Sequence, residues 1–164
     1  MKNKNIILAY SGGLDTSFCI KYLSIEESWN VHAVTVNTGG FTSSELEIMG
    51  AKALSLGAKT FQSVDTVDAY YEQCIKFLIY GNVLRNNTYP LSVSAERMFQ
   101  ALEIAKYAGT INAQAIAHGS TGAGNDQVRF DLVFQVMCPG IEIITPIRDH
   151  CFSRQEEVAY LQKH

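Results

Sequence analysis

The chain has 164 residues, 47% hydrophobic and 18% charged, which is enough for one globular domain with its own core and too few for a second. Thirteen basic against sixteen acidic side chains leave a net charge of −3, with no Lys/Arg cluster able to follow a phosphate backbone, so nucleic acid is not expected as a partner. No stretch nears the roughly eighteen uninterrupted apolar residues of a membrane helix, and a cytoplasmic location without membrane association is expected.

Short β-branched runs alternate with longer stretches of helical period, the pattern of crossover units on a mainly parallel sheet. The first strand is expected at Asn5–Ala9. A helix starting at Asp15 follows, with Phe18, Cys19, Tyr22 and Leu23 on one face. Val31–Val36 reads as the second strand and Asn37–Ser43 as a polar loop. Ser44 and Glu47 form a capping box for a helix reaching Leu56, where Gly57 supplies a left-handed stop. Lys59–Ser63 reads as the third strand, and Asp65 caps a helix running towards Tyr80. The Asn-rich segment Gly81–Pro90 reads as loop, a candidate for contacting substrate.

Beyond it a helix is expected from Ser92 to Ile111, with Asn112 as its cap, and a fourth strand at Gln114–Ala117. Gly119–Gly124 is a small-residue loop, Asn125–Met137 a helix, Cys138-Pro139-Gly140 a turn and Glu142–Thr145 the fifth strand. Ser153 and Glu156 open a last helix with a capping box, and that helix is still running at Lys163-His164, which reads as a boundary inside a longer protein. The expected fold is α/β: a doubly wound, mostly parallel five-stranded sheet with helices on both faces. Cys19, Cys74, Cys138 and Cys151 form no C-x-x-C pair and have no histidine at metal-ligand spacing, so neither a zinc site nor a redox pair is indicated.

Directly after the first strand comes Tyr10-Ser11-Gly12-Gly13-Leu14-Asp15-Thr16-Ser17, a glycine pair flanked by hydroxyls at the mouth of a helix. Glycines let backbone approach an anion, a helix N-terminus offers unpaired N–H groups, and Ser11, Thr16 and Ser17 add donors, so the loop reads as a phosphate cradle. No Gly-Lys-Ser/Thr follows at Walker spacing and no complete G-x-G-x-x-G occurs in the chain. Asp15 would repel bare phosphate and is better placed as an anchor for Mg²⁺, although a helix N-cap alone would also account for it. The heptad resembles the S-G-G-x-D-[ST]-S signature of the N-type ATP pyrophosphatases, and the resemblance implies an adenine nucleotide alpha hydrolase-like fold that cleaves ATP between its α- and β-phosphates and transfers AMP to a substrate oxygen.

A second constellation, His118-Gly119-Ser120-Thr121-Gly122-Ala123-Gly124-Asn125-Asp126-Gln127-Val128-Arg129-Phe130, follows the fourth strand and falls at the same carboxyl edge of the sheet. Asn125, Asp126 and Arg129 begin one helix turn with donors and acceptors of both charges, a set suited to a zwitterionic amino acid. The plainer account is a capped helix with an Asp126–Arg129 pair at i, i+3. The run G-x-T-G-x-G-N-D-Q-V-R-F, together with the first heptad, Tyr89, Ser94 and Arg97, is similar to the nucleotide-binding domain of the argininosuccinate synthase family, over essentially the whole chain.

That resemblance implies a ligase of arginine biosynthesis that joins citrulline and aspartate through citrullyl-AMP, releasing pyrophosphate and then AMP. It puts ATP against Ala9, Tyr10, Ser11, Gly12, Gly13, Leu14, Asp15, Thr16, Ser17, Val36, His118, Gly119 and Thr121, with Mg²⁺ at Asp15. It puts citrulline at Tyr89, Ser94, Asn125 and Arg129, and aspartate at Thr121, Asn125 and Asp126. Residues 1–164 would be the nucleotide-binding domain, ending before a synthetase domain and a C-terminal arm through which the full-length protein is a homotetramer. Tyr89 before Pro90 could equally anchor a loop, and Ser94 could cap a helix. His118 reads as structural, since spacing suggests no partner carboxylate. The chain departs from the family in carrying Ala123 where many members have Lys. The rival readings are another ATP pyrophosphatase, such as a tRNA thiolase or lysidine synthetase, which the acidic balance and the lack of cysteine pairs disfavour, and a non-catalytic adenine-nucleotide-binding module, which gives no reason for the Thr121–Arg129 array.

Overall fold

The computed structural model describes residues 4–164. Five strands form one all-parallel sheet: β1 (Asn5–Ala9), β2 (Asn30–Asn37), β3 (Thr60–Asp65), β6 (Ala115–His118) and β7 (Glu142–Ile144), in the order β3-β2-β1-β6-β7. β4 (Leu84–Arg85) and β5 (Tyr89–Pro90) make a separate antiparallel hairpin. The helices are α1 (Leu14–Ile25), α2 (Ser43–Ser55), α3 (Val67–Tyr70), α4 (Lys76–Tyr80), α5 (Ser92–Thr110), α6 (Asp126–Met137), α7 (Pro146–His150) and α8 (Arg154–Lys163), with one wide π turn, Tyr71–Ile75, joining α3 to α4.

The sheet is buried on both faces because its strands are apolar at consecutive positions, and alternation sends their side chains into two separate cores. On one face Ile6, Leu8, Val31, Ala33 and Ala117 meet Phe18, Cys19 and Leu23 of α1, Met49 and Ala53 of α2, and Ile147 of α7. On the other Ile7, Val34, Val36 and Ile116 meet Ala101, Ile104, Ala105 and Ala108 of α5 and Val133 and Phe134 of α6. Helices cover both faces, as the alternating pattern predicts. α8 is pinned to α1 by aromatic rings: Tyr160 lies 5.2 Å from Phe18 edge-on, and its hydroxyl donates to Glu26.

Several boundaries differ from the sequence reading for local reasons. Helix α2 is capped by Thr42 and Glu45, which exchange the reciprocal bonds of a capping box, and not by Ser44 and Glu47. Asn37 explains the shift: its side-chain oxygen accepts from the N–H groups of Gly39 and Phe41 and ends the loop two residues early. Helix α1 begins at Leu14 after Gly13, so Asp15 lies inside the first turn and is not the N-cap. Asp65 ends β3, and its carboxylate accepts from Val67 N–H in a turn, while Thr66 occupies the cap position. The stretch expected as loop, Gly81–Pro90, contains the β4–β5 hairpin, turned by Asn86 and Asn87 at φ 55° and 56°, a left-handed pair that Asn tolerates well. Gly57 at φ 104°, Asn112 at φ 50° and the Ser153–Glu156 capping box all stand where the sequence places them.

Candidate functional site

Strand β1 is the switch point of the sheet. From it the order runs outward through β2 to β3 on one side and through β6 to β7 on the other. The loops leaving β1 and β6 therefore diverge at the carboxyl edge, where open α/β sheets hold their ligands. The two glycine-rich turns lie against each other there. A Cβ built on Gly119 would stand 3.1 Å from Thr16 Cγ2 and 3.3 Å from the backbone of Asp15 and Thr16. Only a residue without a side chain lets the second loop approach the first helix turn this closely.

Between the turns opens a cleft of about 640 Å³. Of the thirteen residues expected against ATP, eleven line it: Ala9, Tyr10, Ser11, Gly13, Leu14, Asp15, Thr16, Val36, His118, Gly119 and Thr121. Gly12 and Ser17 stand behind the wall. Gly12, at φ 77°, turns its carbonyl outward to accept from the Lys52 ammonium of α2 at 2.7 Å. The Ser17 hydroxyl, expected to donate to an anion, is buried and donates instead to the Gly13 carbonyl at 2.6 Å. Its bond is local because Gly13 lies one turn back, within reach of any hydroxyl at that position. Ser11 and Thr16 keep their hydroxyls on the cleft, 3.2 Å apart.

A second cavity, of about 510 Å³, is lined by Tyr89, Ser94, Asn125 and Arg129, together with Arg85, Asn86, Thr88 and Val93. All four residues expected at citrulline thus share one hollow, drawn from the hairpin, α5 and α6. Arg129 Nη2 donates to Ser94 Oγ at 2.9 Å and Nη1 to Asp126 Oδ1 at 2.7 Å. The other oxygen of Asp126 meets Arg97 Nε at 3.5 Å. Asp126 itself lines the first cleft, so its carboxylate ties the walls of the two hollows together. Thr121 and Asp126 face the cleft and Asn125 the second cavity, which sets the trio expected at aspartate across the border between them. Asn125 occupies the N-cap position of α6 without a side-chain cap bond, leaving its amide free of that structural duty.

His118 corrects the expectation that it lacks a carboxylate partner. Its Nε2–H donates to Asp131 Oδ1 at 2.9 Å, and its Nδ1 accepts from Ser120 N–H at 3.3 Å, a pattern that assigns the neutral tautomer with the proton on Nε2. Arg148 of α7 holds the other Asp131 oxygen at 2.7 Å. Burial keeps the His118 imidazole below its ordinary range against the pull of Asp131. Burial acts to raise Asp131 as well, but the hydrogen bonds from Arg148 and His118 outweigh it and hold the carboxyl low. Asp131 lies thirteen residues from His118, on the inward side of a helix, a spacing that no local pattern in the sequence picks out.

Beside Asp15 sits a group that the sequence reading overlooked. Glu157 of α8 is only 3% exposed, its Oε2 has no hydrogen-bond partner among the described residues, and burial, then the charge and hydrogen bonding of Asp15, push it up to about 7. It therefore changes charge near neutrality. The cleft wall also includes Gln100 and Ile104 of α5, Gln127 and Phe130 of α6, Phe41 and Arg154. These come from four distant stretches of chain and carry no shared sequence signal.

An open parallel sheet whose switch-point cleft is walled by two glycine-rich turns defines the class: an α/β domain of the HUP type. The chain belongs to the family described as "Arginosuccinate synthase N-terminal HUP domain", whose model matches residues 5–164. It is 38% identical over its full length to the argininosuccinate synthase of Staphylococcus haemolyticus and 37% identical to those of Staphylococcus saprophyticus and Halalkalibacterium halodurans. It spans 40%, 40% and 39% of those relatives' lengths. Among solved structures, a predicted subunit of tRNA methyltransferase from Methanocaldococcus jannaschii superposes with a TM-score of 0.65 at 16% identity, covering 97% of this chain and 74% of that one, a likeness of fold alone. Among the described residues no helix is long and apolar enough to cross a membrane.

Proposed function

We propose that this chain is the nucleotide-binding domain of an AMP-forming carbon–nitrogen ligase that joins citrulline and aspartate into argininosuccinate. The observation that carries the reading is the pairing of two hollows: a cleft between two abutting glycine-rich turns, and beside it a polar cavity that shares the Asp126 carboxylate through Arg129. A triphosphate laid along the first turn would bring its α-phosphate to the border, and an amino acid held by Arg129, Ser94, Asn125 and Tyr89 would meet it there. The ureido oxygen of citrulline attacks that phosphorus, pyrophosphate leaves, and the amine of aspartate then displaces AMP. Among the described residues that line the second cavity there is no carboxylate or histidine to act as a base, which accords with catalysis by positioning and by stabilisation of charge. Kinship at 37–38% with named argininosuccinate synthases supports the choice of substrates.

Asp15 fits a role towards Mg²⁺. Its carboxylate lines the cleft, and an ion whose other ligands are phosphate oxygens and waters asks for only one or two carboxylates. When bound, the ion would supply charge neutralisation on the phosphates. Among the described residues no cluster of three or more His, Cys, Asp or Glu side chains forms a cage, so a site made wholly of protein ligands is not proposed.

The proposed protein is a homotetramer of a longer polypeptide, acts on small molecules in the cytoplasm, and has no role for nucleic acid. The deciding experiment incubates the full-length protein with labelled ATP, citrulline and aspartate and looks for AMP and argininosuccinate in equal amounts. AMP release that does not depend on citrulline would sink the reading. Tight tRNA binding at physiological salt would favour the thiolase or lysidine synthetase class instead.

A further inference from the structure

The cleft has a strongly anionic ligand to hold, and its first loop carries no lysine. Among the described residues two Lys/Arg side chains line it, Arg97 and Arg154, and they approach from opposite faces of the sheet, one on α5 and the other on α8. Arg97 is committed: its guanidinium donates to Gln100 at 2.7 Å and pairs with Asp126. Lys52 is nearby but spends its ammonium on the outward carbonyl of Gly12 and stays behind the wall. The second loop has Ala123 where a basic side chain could have stood. Arg154 lines the same cleft as Ser11, Gly13 and Asp15, and among the described residues its side chain has no ion pair or hydrogen bond.

Its place is set by a rigid mount. Arg154 is the first residue of α8, directly after Ser153, whose hydroxyl accepts from Glu156 N–H while the Glu156 carboxylate accepts from Ser153. One turn on, Glu157 is buried against Asp15, and Tyr160 packs on Phe18 and Tyr22. The helix cannot slide without exposing that carboxyl and those rings.

We propose that Arg154 is a catalytic residue that grips the β- and γ-phosphates and receives the departing pyrophosphate. This rests on the adenylation reading above. In that step the bond from the citrulline oxygen to the α-phosphorus forms as the bond from that phosphorus to the bridging oxygen breaks, and the electron pair stays on the β-phosphate. A guanidinium in front of the first loop meets the charge that develops there, with planar donors matched to two phosphate oxygens.

The test compares full-length parent, Arg154→Ala and Arg154→Lys by calorimetry with inorganic pyrophosphate and, separately, with AMP. The expected result is pyrophosphate binding weakened about ten- to hundredfold in Arg154→Ala, partly restored in Arg154→Lys, with AMP binding within about twofold throughout. Circular dichroism identical to the parent shows that α8 has stayed docked. A parent that fails to bind pyrophosphate, or an alanine variant that binds it within twofold of the parent, overturns the proposal. If the parent binds pyrophosphate through Arg154 but makes no argininosuccinate, the ligase reading fails and the anion site stands. If the parent makes argininosuccinate and the alanine variant retains its pyrophosphate affinity, the ligase reading stands and Arg154 is dismissed.

Discussion

Arg129 is the residue on which the second cavity turns, since one guanidinium braces both Ser94 and Asp126. In the full-length protein, Arg129→Ala is expected to raise the KM for citrulline about ten- to hundredfold, the worth of a charge-assisted bond, and to leave ATP binding within twofold. Unchanged citrulline kinetics would return Arg129 to a purely structural role. Two buried titratable groups pull stability in opposite directions with pH. His118 is lowered on folding, so the unfolded chain binds more protons: its contribution is complete above the ordinary value near 6.5 and is lost as pH falls through the folded value. Glu157 is raised to about 7, so its contribution is complete below the usual carboxyl range and lost as pH rises through about 7. Glu157→Gln mimics the protonated acid, and thermal unfolding at pH 8 should show a gain on the order of 1 kcal/mol, about 2–4 °C in Tm, that shrinks as pH falls and vanishes below the usual carboxyl range. A variant with the same Tm offset at both pH values would show that Glu157 does not titrate in this range.

At the scale of elements, the site depends on how closely the β6–α6 loop rides on the first turn of α1. Gly119→Ala places a methyl group against Thr16 and the backbone of Asp15, and neither can yield without moving the helix start. The expected cost is about 1–3 kcal/mol in denaturant unfolding, together with weaker nucleotide binding. A substitution that leaves both unchanged would mean that the two turns are further apart than described. The α8 mount is tested at its cap: Ser153→Ala removes the bond to Glu156 N–H and should cost about 1 kcal/mol. If Arg154 acts as proposed, the same change should also loosen pyrophosphate binding, because the guanidinium leaves from the first turn of that helix.

For the whole molecule, the chain covers about two fifths of the length of its named relatives. The proposal therefore carries an expectation for the isolated 164 residues: the two cores fold the sheet, while argininosuccinate formation is slight because further parts of the polypeptide complete the citrulline pocket. Substantial product from this piece alone would refute that division of labour.

What could be read from the residues alone was whatever local chemistry determines. The sheet strands and main helices followed from apolar period, the helix stops from Gly57 and Asn112, the last helix from its Ser153–Glu156 box, and the tight turn into α1 from a glycine pair at a helix mouth. Even there, competing side chains moved boundaries, as when Asn37 ended its loop early and handed the cap of α2 to Thr42. Tertiary structure alone decided which distant groups meet: Arg154 in the same cleft as Asp15, Glu157 close to Asp15, and Asp131 and Arg148 behind His118. The physical reason is that periodicity and capping act over a few residues, whereas strand order brings together positions more than a hundred residues apart, and nothing in a local pattern encodes that order.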